Sequence, residues 1–317
     1  MQEKQEPTDL NSLDKELFQI MNLNPKTQIF LGLASKSMFS KQDIKQNKIQ
    51  HFSTLVAQGK QIEAKELLDR IPVPSLTASK QDLLLTETLF TDYSGRTFNC
   101  TAYEYAYWAK DTHMCRMLEQ QMDANTKTAM LKRCEAIEND GLTYKQHGEI
   151  KNSKHFDFKP LKEALRNYAD GHDYWYITRN WTAMKAAWMA VGLAQRDVPV
   201  HVINEYCRPN RSFNPTPKFN EDELPRVLTY YDYRSGRDNL VFPLVVSDSS
   251  GLGVDFALRR EDGEDGRWMV AERPFGKAAT FDLLAVSHLD EVRTADLTRS
   301  RENLRSVEPE QSRGMTY

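Results

Sequence analysis

Apolar residues recur at helical spacing through roughly the first 195 positions, then give way to shorter segments in which they alternate. Leu13, Leu17, Ile20 and Met21 share one face of a predicted helix over about 13–21, with Ser12 as its cap. A second helix is predicted from Ser40, where Ser40 and Asp43 stand at capping-box spacing, to Gly59. A third runs from Ile62 to Arg70, before Pro72 and Pro74. Further helices are expected at about 80–90, 102–109, 111–121 and 126–138, the last capped by Asn125 and closed by Gly141. Asp157 with Pro160 opens another that ends near Gly171, and a long one covers Trp181 to Arg196.

Beyond that point the pattern predicts strands at Val200–Tyr206, Arg226–Tyr233, Leu240–Val246, Val254–Arg260 and Trp268–Glu272. Turn residues separate them at Arg234-Ser235-Gly236, Ser249-Ser250-Gly251 and Glu261-Asp262-Gly263. The last three strands are expected to form an antiparallel meander. Leu283, Leu284, Val286, Leu289, Val292 and Leu297 then lie on one side of an amphipathic helix, and Glu302–Tyr317 reads as a polar tail.

Composition sharpens the division. Only Lys218 and Lys277 of the 21 lysines lie beyond residue 195, against 15 of the 21 arginines. The expected organisation is therefore a mainly helical region over 1–195 and a smaller α+β region over 196–317. A net charge of −3 argues against nucleic-acid binding and against electrostatic membrane binding. No apolar stretch follows the polar start, and no run reaches the ~20 apolar residues that span a bilayer. Cys100, Cys115, Cys134 and Cys207 form no C-x-x-C pair and are too few for a disulfide scaffold.

Two stretches carry a family pattern. In Phe52–Leu68, Gly59, Ala64 and the Leu67-Leu68 pair fall at ankyrin spacing. In Thr101–Leu118, Thr101, Ala106 and Met117-Leu118 do so too, while Lys110 stands where a corner glycine is expected. Asp92–Arg96 supplies the turn of the finger. This region, about 52–121, resembles degenerate ankyrin repeats. The runs TDYSGRTFNCTAYEYAYWAKDTHM, AQRDVPVHVINEYC and LPRVLTYYDY also resemble segments of ankyrin-like type IV secretion effectors of Legionella-type intracellular bacteria. The resemblance implies secretion from the bacterial cytoplasm into a host cell and recognition of a protein there. On an ankyrin concave face the exposed finger and inner-helix side chains would be Asp92, Tyr93, Arg96, Tyr103, Glu104 and Trp108.

Candidate chemistry is sparse. His201 and Cys207 cannot form a local dyad as a strand or as a helix, because six residues separate or rotate them apart. Cys100, with His113 as a distant partner, is the other candidate nucleophile. His147, His155 and His172 lack the close ligand pair of a metal site. Trp181 and Trp188, seven residues apart, share a helical face that reads as core. Arg208, Arg211, Arg259 and Arg260 read as solvated surface. The expectation is a mixed, mainly α, protein-binding molecule with no metal and no cofactor. The alternative is a cysteine-dependent effector enzyme with its site in 200–260.

Overall fold

The computed structural model describes residues 41–71, 79–209, 211–232, 236–242, 251–260, 269–271 and 276–305. The expected helix at 13–21, the cap Ser40 and the end of the tail lie outside them. The chain divides into two units, Met1–Asn47 and Lys48–Tyr317. The first described helix, α1 (Lys41–Ala57), begins in the first unit; the second unit is described below.

The helical hairpins are present. The end of α1 turns at Gly59 into α2 (Gln61–Asp69). A short α3 (Lys80–Leu85) leads to β1 (Thr88–Thr91) and β2 (Thr97–Cys100). The second hairpin is α4 (Ala102–Trp108) with α5 (Thr112–Glu119), followed by α6 (Ala124–Asp140). Thr101 and Glu104 form a full capping box on α4, which is why that helix starts where it does. The two corners share a left-handed backbone, at Gly59 (φ 67°) and at Lys110 (φ 60°).

An ankyrin array is not shown. An ankyrin unit is a turn and two helices, whereas here β1 and β2 continue into β3 (Leu142–Gln146) and β4 (Glu149–Ser153) as one antiparallel four-stranded sheet in the order β1-β2-β3-β4. The helix expected at 80–90 stops at Leu85, because Thr88–Thr91 alternates between buried and exposed positions as a strand does. The β3–β4 hairpin was not expected. Its turn is His147-Gly148, with φ of 50° and 85°, the conformation that suits a two-residue hairpin loop.

The helices α7 (Lys159–Ile177), α8 (Trp181–Arg196) and α10 (Gly276–Arg305) pack together, with α9 (Val200–Cys207) beside them. Two expectations fail here. First, α7 runs through Gly171 instead of ending there. A Cβ at that position would sit 2.3 Å from the indole of Trp175, so the glycine makes room for a ring one turn on. Second, Val200–Tyr206 is helix, not strand. Every residue of α9 is buried, its polar residues His201, Asn204 and Glu205 included, and the β-branched Val200, Val202 and Ile203 mimic a strand.

The strands beyond are short: β5 (Thr229–Asp232) pairs with β6 (Arg237–Leu240), and β7 (Ala257–Arg259) with β8 (Met269–Ala271). Among the described residues they make two separate pairs and not the expected three-strand meander. The fold is thus mixed and mainly helical.

Two hydrophobic clusters follow the chain. One runs from Ile49 to Ile137, the other from Phe158 to Leu289. Helix α10 serves both: Val286 and Leu289 join the second cluster, Leu297 and Leu304 the first. Leu304 is buried, so the polar tail expected from Glu302 begins as packed helix.

Candidate functional site

The six side chains expected on a binding face are drawn together around the β1–β2 turn and α4, but inwards. Asp92 Oδ1 accepts from the backbone N–H groups of Ser94 (2.9 Å) and Arg96 (3.0 Å). Its Oδ2 accepts from Arg96 Nε (2.8 Å) and Tyr105 OH (3.1 Å). Arg96 also donates to the carbonyl of Asp197 (2.6 Å) and lies over the rings of Trp108 and Phe156. Tyr103 OH donates to Glu119 (2.8 Å), and Trp108 Nε1 to Ser153 Oγ (2.9 Å). Glu104 closes the α4 cap and accepts from Arg133 (3.1 Å). Asp92, Arg96, Tyr103, Glu104 and Trp108 are buried. Tyr93 is half-buried, its ring stacked on Phe242 at 4.9 Å. The expectation that these six are exposed is corrected. The finger folds back because a buried carboxylate and guanidinium satisfy each other there.

A larger polar constellation surrounds the α4–α5 corner. Asp111 caps α5 by accepting from Met114 N–H (3.1 Å) and receives both ends of the Arg226 guanidinium (2.8 and 2.9 Å). Arg226 also reaches Gln61 of α2 (2.6 Å) and Asn204 of α9 (3.4 Å). Beside it, Glu205 is held by Arg293 of α10 (2.9 Å) and by Arg211 (2.7 Å), which also pairs with Glu221. Lys110 donates to Asp290 (2.7 Å) and Thr294 (3.0 Å). Burial works against the Asp111 carboxylate, yet Arg226 holds it well below the usual range. Burial pushes the imidazoles of His113 and His201 down to about 3, with Arg293 adding to the effect at both. Neither ring nitrogen of His201 has a hydrogen-bond partner among the described residues.

This network ties α2, α5, α9, the loop after α9 and α10 to one corner. Residues 160–304, which supply most of it, match the family described as the CBUA0006 C-terminal domain. Over 282 residues the chain is 36% identical to the uncharacterized protein CBUA0006 of Coxiella burnetii (strain RSA 493 / Nine Mile phase I), covering 82% of this chain and 76% of that protein. The chain belongs to the CBUA0006 family. No solved structure matches it. The CBUA0006 domain begins two residues after Phe158, where the second hydrophobic cluster starts, and its last helix α10 also supplies Leu297 and Leu304 to the first.

Within the CBUA0006 domain the candidate nucleophile Cys207 is buried, and burial pushes its thiol up to about 12, with Arg260 the charge that opposes the rise. His201 lies on the same helix among Asp111, Arg293 and Arg226. The two are rotated apart, as a helix requires. Cys100 is raised well above its ordinary value by burial and by Glu104 and Glu87. Thiolate chemistry needs a lowered thiol pKa and access, and these sites supply neither.

His147, His155 and His172 are scattered: the first on the β3–β4 turn, the second against Glu138 (3.2 Å), the third beside Asp173 (3.0 Å). No group of three or more potential metal ligands occurs among the described residues. No described helix is long and apolar enough to cross a membrane. Of the arginines read as surface, Arg259 and Arg260 are buried, and Arg260 donates to the carbonyls of Tyr206 (3.4 Å) and Arg208. The misreading arose because acidic neighbours in sequence suggested solvation, while the carbonyls at the end of α9 are the actual acceptors.

Proposed function

We propose that this chain is a protein-binding molecule of effector type, recognising a host protein through the solvent face of the four-stranded sheet. The observation that carries this reading is the pair of large aliphatic side chains on that face. Leu89 on β1 is 57% exposed and Ile150 on β4 is 79% exposed. The register places them on one side: Leu89 faces Asn99, and Thr97 faces Lys145, which faces Ile150. Phe90, Phe98 and Tyr144 fill the other side, so the outward residues are free of core duty. Among the described residues no strand pairs with the outer edge of β4, and an extended partner segment can add there through its main chain. The recognition surface then belongs to the sheet whose β1–β2 turn is the expected finger.

The Coxiella source of the relative fits the resemblance to secreted effectors of intracellular bacteria, and delivery into the host cytoplasm is part of the proposal. The test is capture from host-cell lysate with mass spectrometry, comparing the parent with Leu89→Asp/Ile150→Lys. The expected result is a partner recovered by the parent and lost by the variant at unchanged melting temperature. Equal recovery by both would overturn the sheet face as the site.

A further inference from the structure

The two edges of the four-stranded sheet differ. On β1, the Leu89 carbonyl accepts from Gln50 Nε2 of α1 (3.0 Å). Among the described residues nothing pairs with the outer edge of β4. Its register with β3 fixes which main-chain groups that edge presents. His147-Gly148 is a two-residue loop, so the closing pair Gln146↔Glu149 is hydrogen-bonded. Bonded and unbonded pairs alternate along an antiparallel ladder. Tyr144↔Lys151 and Leu142↔Ser153 are therefore bonded, while Lys145↔Ile150 and Thr143↔Asn152 are not. The N–H and C=O groups of Ile150 and Asn152 thus point away from β3, out of the sheet. The pairing runs without a bulge from Glu149 to Ser153, and β4 has no proline to turn a neighbour away.

The side chains of β4 select what can pair there. Glu149 and Lys151 stand two residues apart on one face. Neither has a hydrogen-bond or ion-pair partner among the described residues. A lysine on an edge strand ordinarily repels a second copy of itself. A twofold centred on Lys151 would do that, setting lysine directly against lysine. Centred on Asn152, it would set Lys151 against Ser153 and leave both charges unanswered. Centred on Ile150, it sets Glu149 of each copy against Lys151 of the other, so both charges are answered twice over. Ile150, 79% exposed in the single chain, then meets its own copy. The same centre brings the outward N–H and C=O of Ile150 opposite those of its copy, as a bonded antiparallel pair requires.

We propose that β4 pairs with β4 of a second copy of this chain, antiparallel and centred on Ile150, joining two four-stranded sheets edge to edge. The outward faces, with Leu89 of each copy, then form one continuous surface. The inference goes beyond the sheet-face reading and does not depend on it, because no host protein takes part. An extended partner segment takes the edge only in place of the copy.

The test is sedimentation velocity of the purified full chain over a rising concentration series. The parent is expected to pass from monomer to dimer. Glu149→Lys sets lysine against lysine at both ends of the ladder, and Lys151→Glu sets glutamate against glutamate. Each alone is expected to weaken the dimer at least ~10-fold, since every substitution acts twice across the twofold. An equal mixture of the two variants restores opposite charges at both contacts and is expected to dimerise like the parent. Misfolded variants would not recover on mixing. A parent that stays monomeric throughout would overturn the inference. So would single variants that each dimerise like the parent, or a mixture that stays monomeric.

Discussion

Arg96 and Asp92 close the β1–β2 turn on itself: Nε donates to Oδ2 at 2.8 Å, and both side chains are 2% exposed. Removing one partner leaves the other as an uncompensated buried charge. Arg96→Ala is expected to cost ~3–5 kcal/mol, read as a drop in the denaturant midpoint. Tyr93→Ala removes only a half-buried ring and should cost less. A double variant that melts like the parent would restore the finger as a freely projecting element.

The Asp111–Arg226 pair offers a second test. Arg226→Met should destabilise by ~3–5 kcal/mol, since Asp111 keeps its charge inside the fold. Adding Asp111→Asn, which preserves the cap on α5, should return part of the loss. A coupling of ~0.5–3 kcal/mol in the double-mutant cycle is expected. Strict additivity would mean the two groups do not depend on each other.

Acid should loosen the same corner. Folding holds His113 and His201 at about 3 against an ordinary 6.5, chiefly by burial. The native state therefore binds fewer protons than the unfolded chain between those values. Stability is whole above about 6.5 and declines as pH falls towards about 3. Asp111, held low by Arg226 against the cost of burial, acts in the same direction further down: its contribution is intact above its ordinary 3.8 and is lost as the carboxylate protonates. Denaturant midpoints between pH 7 and pH 4 should fall more steeply for the parent than for His201→Phe. Parallel slopes would show that His201 is not a source of the acid sensitivity.

Gly192 of α8 touches the loop before β7 backbone to backbone. A Cβ there would lie 2.5 Å from Gly253 N and 2.7 Å from the Phe256 carbonyl. Gly192→Ala is expected to cost ~1–3 kcal/mol by overpacking. Gly148→Ala, with open space around it, should cost only about 1 kcal/mol for its left-handed backbone. Thermal melts of the two variants in the reverse order would contradict the close approach.

How much of this was legible depends on whether an element has a wet side. The apolar spacing bounds α8 correctly, and Thr101 marks the start of α4. α9 reads as a strand because the β-branched Val200, Val202 and Ile203 outweigh the helical spacing of His201, Asn204 and Glu205, all of them buried. The ankyrin likeness had a real basis in Gly59, Ala64 and Ala106, which sit at corners and close-packed positions of two helical hairpins. Such packing demands are common to helical hairpins, so they did not distinguish an array from this sheet-bearing fold. Burial at the candidate face escaped notice for a related reason. Asp92, Arg96 and Glu104 are polar in sequence, and only the positions of their partners Tyr105, Asp197 and Arg133 show that they point inwards. Trp181 and Trp188 share a helical face, but nothing local said that the core ends between them, with Trp188 buried and Trp181 exposed.

Lys110 carries a left-handed backbone that glycine would adopt more easily, and the partners of its amino group, Asp290 and Thr294, lie 180 and 184 residues further along the chain. On a ribosome adding ~5–20 residues each second, the corner waits roughly 10–40 s before those partners exist. During that time the α4–α5 hairpin has its tight turn and an unanswered positive charge. Its completion is an event of late synthesis, when the long C-terminal helix arrives and packs against α5, α6 and α7.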